Sequence, residues 1–149
     1  MKLLNNIKLS VFIKEDEDEE RLTQVLKSLV PFDLEEEKIG VKKINATGFG
    51  EKKIIIAEIN LEKERHNKEF LRRLNELLSE EQKELLKRQA ESRLDESFNF
   101  FIRFDKEKLL NHEHLKITDC GHCFHIKMNI ACFPRKREKA MEIIQNIFK

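Results

Sequence analysis

From Ser97 to Phe104 the chain runs Ser-Phe-Asn-Phe-Phe-Ile-Arg-Phe. Every second residue, Phe98, Phe100, Ile102 and Phe104, is large and apolar. Side chains alternate between faces along a strand, so a period of two gives a strand with one core face. The opposite face carries Ser97, Asn99, Phe101 and Arg103, an aromatic ring between an amide and a guanidinium. A flat, wettable sheet face of that kind suits single-stranded nucleic acid, where bases stack on rings and phosphates meet cations. It equally suits a half-exposed strand whose Phe101 is covered by a helix or a second subunit. The residues just before, from Arg93, read as a helix end and a tight junction.

Other segments repeat the two periods. Ile7, Leu9, Val11 and Ile13 alternate with Lys8, Ser10, Phe12 and Lys14, which predicts a first strand. The acidic run Glu15 to Glu20 reads as the negative first turn of a helix, because Leu22, Val25, Leu26 and Leu29 follow at helical spacing. Pro31 stops that helix. Residues 33 to 40 are ambiguous, with one helical turn as an option. Strands follow at Val41–Thr47 and Ile54–Leu61, joined by a Gly48-Phe49-Gly50 turn. A long helical stretch carries Phe70, Leu71, Leu74, Leu77 and Leu78 on one stripe. It is divided by a capping box beginning at Ser79, after which Leu85, Leu86, Ala90 and Leu94 form a second stripe. After the Ser97–Phe104 strand, residues 105 to 111 suit a helical turn. A hairpin is predicted from Leu115–Thr118 and Cys123–Phe133, with Phe124, Ile126, Met128, Ile130 and Cys132 inward. Pro134 suits the first turn of a last helix bearing Ala140, Met141, Ile144, Ile147 and Phe148. The order predicts an α+β fold: a two-layer sandwich of one mixed β-sheet with helices on one face, the other face partly open.

At 149 residues the chain suits one domain, 1–149, with enough length for a real core. Net charge is +1, so any attraction for nucleic acid must come from local patches. No apolar run is long enough to span a bilayer, and the start lacks a signal-peptide layout, which predicts a cytoplasmic protein without a membrane partner. Three Cys cannot all pair internally and do not make a disulfide framework. Charged residues reach 38%, a Lys- and Glu-rich surface that recurs in heat-adapted proteins.

Several constellations could carry chemistry. Lys8, Phe12, Lys14, Phe101, Arg103, His125 and Lys127 fall on outward strand positions, cations with two interleaved rings. Arg135, Lys136 and Arg137 form a second basic cluster at a helix start, where unpaired backbone N–H groups favour anions. Lys42, Lys43, Lys52 and Lys53 flank the glycine turn, which has neither the spacing of a Walker loop nor a dinucleotide fingerprint. Cys120 and Cys123, with His112, His114, His122 and His125 nearby, have the residue types of a zinc site, but there is only one C-x-x-C pair. Cys123 and His125 share the outward face, Cys132 reads as core, and His66 as solvent-facing. No nucleophile motif or isolated acid pair points to an enzyme.

Gly48-Phe49-Gly50 with Ile54-Ile55-Ile56, Phe70-Leu71-Arg72-Arg73-Leu74, Arg93-Leu94-Asp95-Glu96-Ser97-Phe98-Asn99-Phe100, Arg103-Phe104-Asp105-Lys106 and Pro134-Arg135-Lys136-Arg137-Glu138-Lys139-Ala140 occur in that order. Together they resemble an archaeal family described as RNA-binding-domain proteins or predicted exosome subunits. The resemblance covers about Ile7 to Ile147. It implies a fold similar to that of the ribosomal large-subunit protein that contacts the small RNA of that subunit. It also implies RNA association without catalysis, and dimerisation in some members. The family's hairpin lacks paired Cys, so a metal site here is at most a local addition. The resulting expectation is a non-enzymatic RNA-binding module, without cofactor, associated with RNA processing or ribosome-related assemblies. Lys8, Lys14, Arg103, Lys127, Arg135, Lys136 and Arg137 would meet phosphates, and Phe12 and Phe101 would stack bases. The alternative is a homodimeric interaction scaffold with both rings at a protein interface.

Overall fold

The computed structural model describes residues 2–149 and their side chains, except that of Phe49. Its strands are β1 (Leu4–Lys14), β2 (Lys42–Thr47), β3 (Lys53–Leu61), β4 (Asn99–Asp105) and β5 (Cys123–Ile130). Its helices are α1 (Glu19–Ser28), α2 (Glu64–Leu77), α3 (Glu80–Arg88), α4 (Ala90–Arg93), α5 (Lys106–His112) and α6 (Arg137–Ile147). The strands form one sheet in the order β2-β3-β1-β5-β4. The architecture is the α+β two-layer sandwich. The sheet is antiparallel, where a mixed one was predicted. The reason is topological: β3 lies between β1 and β2 and β5 between β1 and β4, so strands that run the same way are never neighbours.

The chain divides into two compact units. One comprises Lys8–Asn60 and Arg103–Ile126. Its core holds Leu9, Val11 and Ile13 of β1, Leu22 and Leu26 of α1, Ile59, Phe104 and Phe124, all buried. The acidic run does open α1: the Asp18 side chain accepts from the Arg21 amide, with Glu19 and Glu20 in the first turn. β2 and β3 pair with Thr47 opposite Lys53 and Lys42 opposite Glu58. One 3-10 turn, Phe49–Glu51, joins them. A Cβ on Gly48 would collide with the Ile54 side chain, and Gly50 sits at φ 75°, a left-handed value that suits glycine. Residues 33 to 40 form no regular helix but one turn, in which the Glu37 amide donates to the Asp33 carbonyl at 3.1 Å, the single helical turn that the sequence allows. The Asp33 carboxylate there accepts from the Glu35 and Glu36 amides and closes a turn.

The other unit contains residues 2–7, Leu61–Ile102 and 127–149. Phe70, Leu74, Leu86, Phe100, Ile144 and Phe148 are buried in it. The Phe100 and Phe148 rings lie 5.7 Å apart at 48°, a favourable tilted pair. The predicted capping box is present, with Ser79 accepting from the Gln82 amide and Gln82 accepting from the Ser79 amide. The junction before β4 is tight: Phe98 has φ 65°. Its backbone is held by the Asp95 carboxylate, which accepts from the Ser97 and Asn99 amides at 2.9 Å each.

Several expectations need correction. Leu115–Thr118 is no strand; only Ile117 bridges to Phe104. β5 ends at Ile130, short of the predicted Phe133, with the Ala131 amide still donating to the Leu3 carbonyl at 2.9 Å. Cys132 is therefore half-buried beyond the strand, with its sulfur 3.2 Å from the Pro134 carbonyl, and is not core. α6 starts at Arg137, with Lys136 as its N-cap residue, so Pro134 precedes the helix. His66 is buried on the inner stripe of α2, not solvent-facing.

Candidate nucleic-acid interface

In the unit of Lys8–Asn60 and Arg103–Ile126, the alternation of β1 sets the site. Leu9, Val11 and Ile13 are spent on the core, so Lys8, Phe12 and Lys14 point the other way. Phe12 stays 53% exposed. It borders a pocket of about 230 Å³ that Ser10, Arg103, Cys123 and His125 also line. Arg103 is exposed, and its Nη1 donates to the Asp119 carbonyl at 3.2 Å, which fixes the guanidinium at the rim.

The backbone beneath Phe12 is anchored by a group that pattern reading missed. Lys106 is only 2% exposed. Its Nζ donates to the Phe12 carbonyl at 2.7 Å and to both Glu17 oxygens at 3.1 and 3.2 Å. Burial raises the Glu17 pKa, but the Lys14 amide and the Lys106 ammonium outweigh it and hold the carboxyl below its ordinary range. No periodicity marks a lysine that snorkels under a neighbouring strand; the only sequence signal is its place next to Asp105, at the start of α5.

Cys123 lies at an outward position of β5, yet it is buried. Burial pushes its thiol pKa up against the pull of Arg103, so this thiol is neutral. Cys120 is exposed. Among the described residues no three His, Cys, Asp or Glu side chains are grouped as metal ligands would be. Lys8 pairs with Glu58 at 2.8 Å and does not line the pocket. Lys14 instead lines a wider groove with Lys52, Lys53, Glu15 and Asp16.

The unit containing Leu61–Ile102 and 127–149 carries the remaining nominated residues. Phe101 and Lys127 are half-buried. The charge of Lys127 acts on Asp95, whose pKa burial raises but the Asn99 and Ser97 groups, with Lys127, pull below its ordinary range. Asn129 bridges its neighbours: it accepts from Asn5 at 2.8 Å and donates to Asn99 at 2.9 Å. Arg135 stands over the Phe98 ring, 5.0 Å from its centroid. Arg137 is occupied structurally, donating to the Glu91 carboxylate at 2.9 Å and to the Glu91 and Leu94 carbonyls at 2.8 and 3.1 Å. Lys136 is exposed. Phe133, not nominated from sequence, is 93% exposed in the same short loop as Arg135 and Lys136. Its signal was available: a Phe between the end of a strand and a Pro-led basic run.

A family model described as RNA binding matches residues 6–130. The chain belongs to this RNA-binding family. The matched span contains Phe12, Arg103 and the rest of the pocket, and stops before Phe133 and the Arg135–Arg137 cluster. An RNA-binding protein of Pyrococcus abyssi is 28% identical over 141 residues, covering 95% of this chain and 91% of its own. A protein of Methanocaldococcus jannaschii described as uncharacterised is 28% identical over 147 residues, 97% of each chain. A solved structure from Methanothermobacter thermautotrophicus superposes with a TM-score of 0.77 at 26% identity, covering 99% of each chain. That solved structure shares the fold along the whole chain. No helix among the described residues is long and apolar enough to cross a membrane.

Proposed function

We propose that the protein is a non-enzymatic, cytoplasmic module that binds single-stranded RNA. The observation that carries this reading is the Phe12 ring, 53% exposed and beside Arg103 at a pocket, within the span that matches the RNA-binding family. Keeping a large ring half in water costs burial energy of about 1 kcal/mol, and base stacking gives it a use. Arg103 and Lys14 supply charge in that unit, with Lys8 diverted to Glu58. In the other unit, Lys127, Arg135 and Lys136 are the available cations, and Phe133 takes the stacking role proposed from sequence for Phe101. Arg137 holds α4 and α6 together before it holds phosphate. Attachment to RNA processing or ribosome-related assemblies is part of the same proposal.

Fluorescence anisotropy of a labelled single strand at two salt concentrations tests it. Binding should weaken as salt rises, because counterions are released from the neutralised phosphates. Phe12→Leu should weaken it further. No binding at low salt refutes the reading. The homodimeric scaffold then takes precedence. Phe133 favours it, since so exposed a ring also suits a protein interface, and a concentration-dependent mass indifferent to RNA would support it.

A further inference from the structure

The pocket beside Phe12 has dimensions and chemistry more specific than a stacking platform. Its volume of about 230 Å³ lies below the range of about 300–1,000 Å³ that holds drug-sized ligands. That is room for a flat heterocycle. Phe12 lines the pocket and stays 53% exposed. Cys123 lines it too, buried and held neutral. At the rim stands Arg103, a pure donor held by the Asp119 carbonyl. Lys106 holds the Phe12 carbonyl through a 2.7 Å hydrogen bond. A largely apolar pocket with Arg103 among its lining, beside Ser10 and His125, suits a flat ring that presents an acceptor edge.

We propose that this pocket takes a single unstacked RNA base and favours keto bases, guanine and uracil, over amino bases, adenine and cytosine. The inference rests on the RNA-binding reading above. Guanine O6 and uracil O4 offer acceptors to a guanidinium. Adenine N6 and cytosine N4 place an N–H₂ donor at the same position, so two donors would face one another there. Stacking on Phe12 supplies affinity for any base; Arg103 supplies the choice.

The test uses oligonucleotides that are abasic except at one central position, and compares two matched pairs there by anisotropy. Uridine against cytidine holds ring size constant, and inosine against adenosine does the same for purines. The keto member of each pair should bind about 5- to 20-fold tighter, the discrimination typical of one good base-edge contact. Arg103→Leu should abolish that ratio while leaving the melting temperature within a few degrees, since Arg103 is exposed. Phe12→Leu should weaken all four strands and keep the ratio. Equal affinity for keto and amino members overturns the inference. So does equal affinity for a fully abasic strand, which leaves salt-dependent RNA binding intact. Absence of binding to every strand overturns the RNA-binding reading itself.

Discussion

Lys106→Met removes one ammonium and leaves its carbon stem in place, which isolates what that charge does. Lys106 is 2% exposed, and its Nζ makes three hydrogen bonds: one to the Phe12 carbonyl and two to Glu17. A buried carbonyl that loses a charged donor costs about 1–3 kcal/mol. Glu17 keeps 17% of its side chain in water and so can rehydrate, which limits its share to about 1 kcal/mol. Extra apolar burial by the Met terminus returns up to about 1 kcal/mol. The net loss should be about 2–3 kcal/mol, or roughly 4–10 °C in melting temperature for a chain of this size. Urea and thermal unfolding of Lys106→Met, Glu17→Gln and the double variant measure it, with a coupling energy of about 1–2 kcal/mol expected between the two sites. The Glu17 carboxyl is held below its ordinary pKa in the folded protein. Its contribution is therefore present above the unfolded value of about 4.3 and is lost as pH falls through the lower folded value. Acid destabilisation below about pH 4.3 should be shallower in Lys106→Met than in the wild type. Because Phe12 is the residue being anchored, RNA affinity should also fall in Lys106→Met at temperatures where the variant is fully folded. A variant within about 0.5 kcal/mol of wild type, with unchanged acid slope, would refute the anchor.

Arg137→Ala should cost about 1–2 kcal/mol of stability, because three acceptors on Glu91 and Leu94 lose their donor. A loss of RNA affinity without a fall in urea midpoint would contradict that role. Phe133→Ala should leave stability within about 0.5 kcal/mol, since the ring is 93% exposed. It should weaken single-strand binding about fivefold or more if the ring stacks; unchanged anisotropy curves would remove Phe133 from the interface. Asp95→Asn should destabilise by about 1–2 kcal/mol, because the carboxylate organises the amides around the left-handed Phe98, and hydrogen exchange at Ser97 and Asn99 should quicken. A thiol reagent at pH 8 should modify exposed Cys120 promptly and Cys123 only after unfolding, since Cys123 is buried with a raised pKa.

The sequence by itself determined the alternation of β1 and β4. Ile7, Leu9, Val11 and Ile13, and Phe100, Ile102 and Phe104, are all buried, as a period of two requires; Phe98 is buried too, but in the junction before β4. It also determined the α1 acidic start and the α3 capping box, because those signals lie within a few residues of the backbone groups they satisfy. Tertiary structure alone decided the rest. Sheet order is set by which strand β3 slots beside, which no local period records. Lys8 and Lys14 look equivalent along β1, but one faces Glu58 across a strand and the other does not. Arg135 and Arg137 stand two residues apart, yet one meets the Phe98 ring and the other Glu91 and Leu94. Lys106 is buried only because the Phe12 carbonyl and Glu17, 94 and 89 residues away in sequence, converge on it. Charge is written in the sequence; whether a charge is free for a ligand depends on partners that only folding brings within about 3 Å.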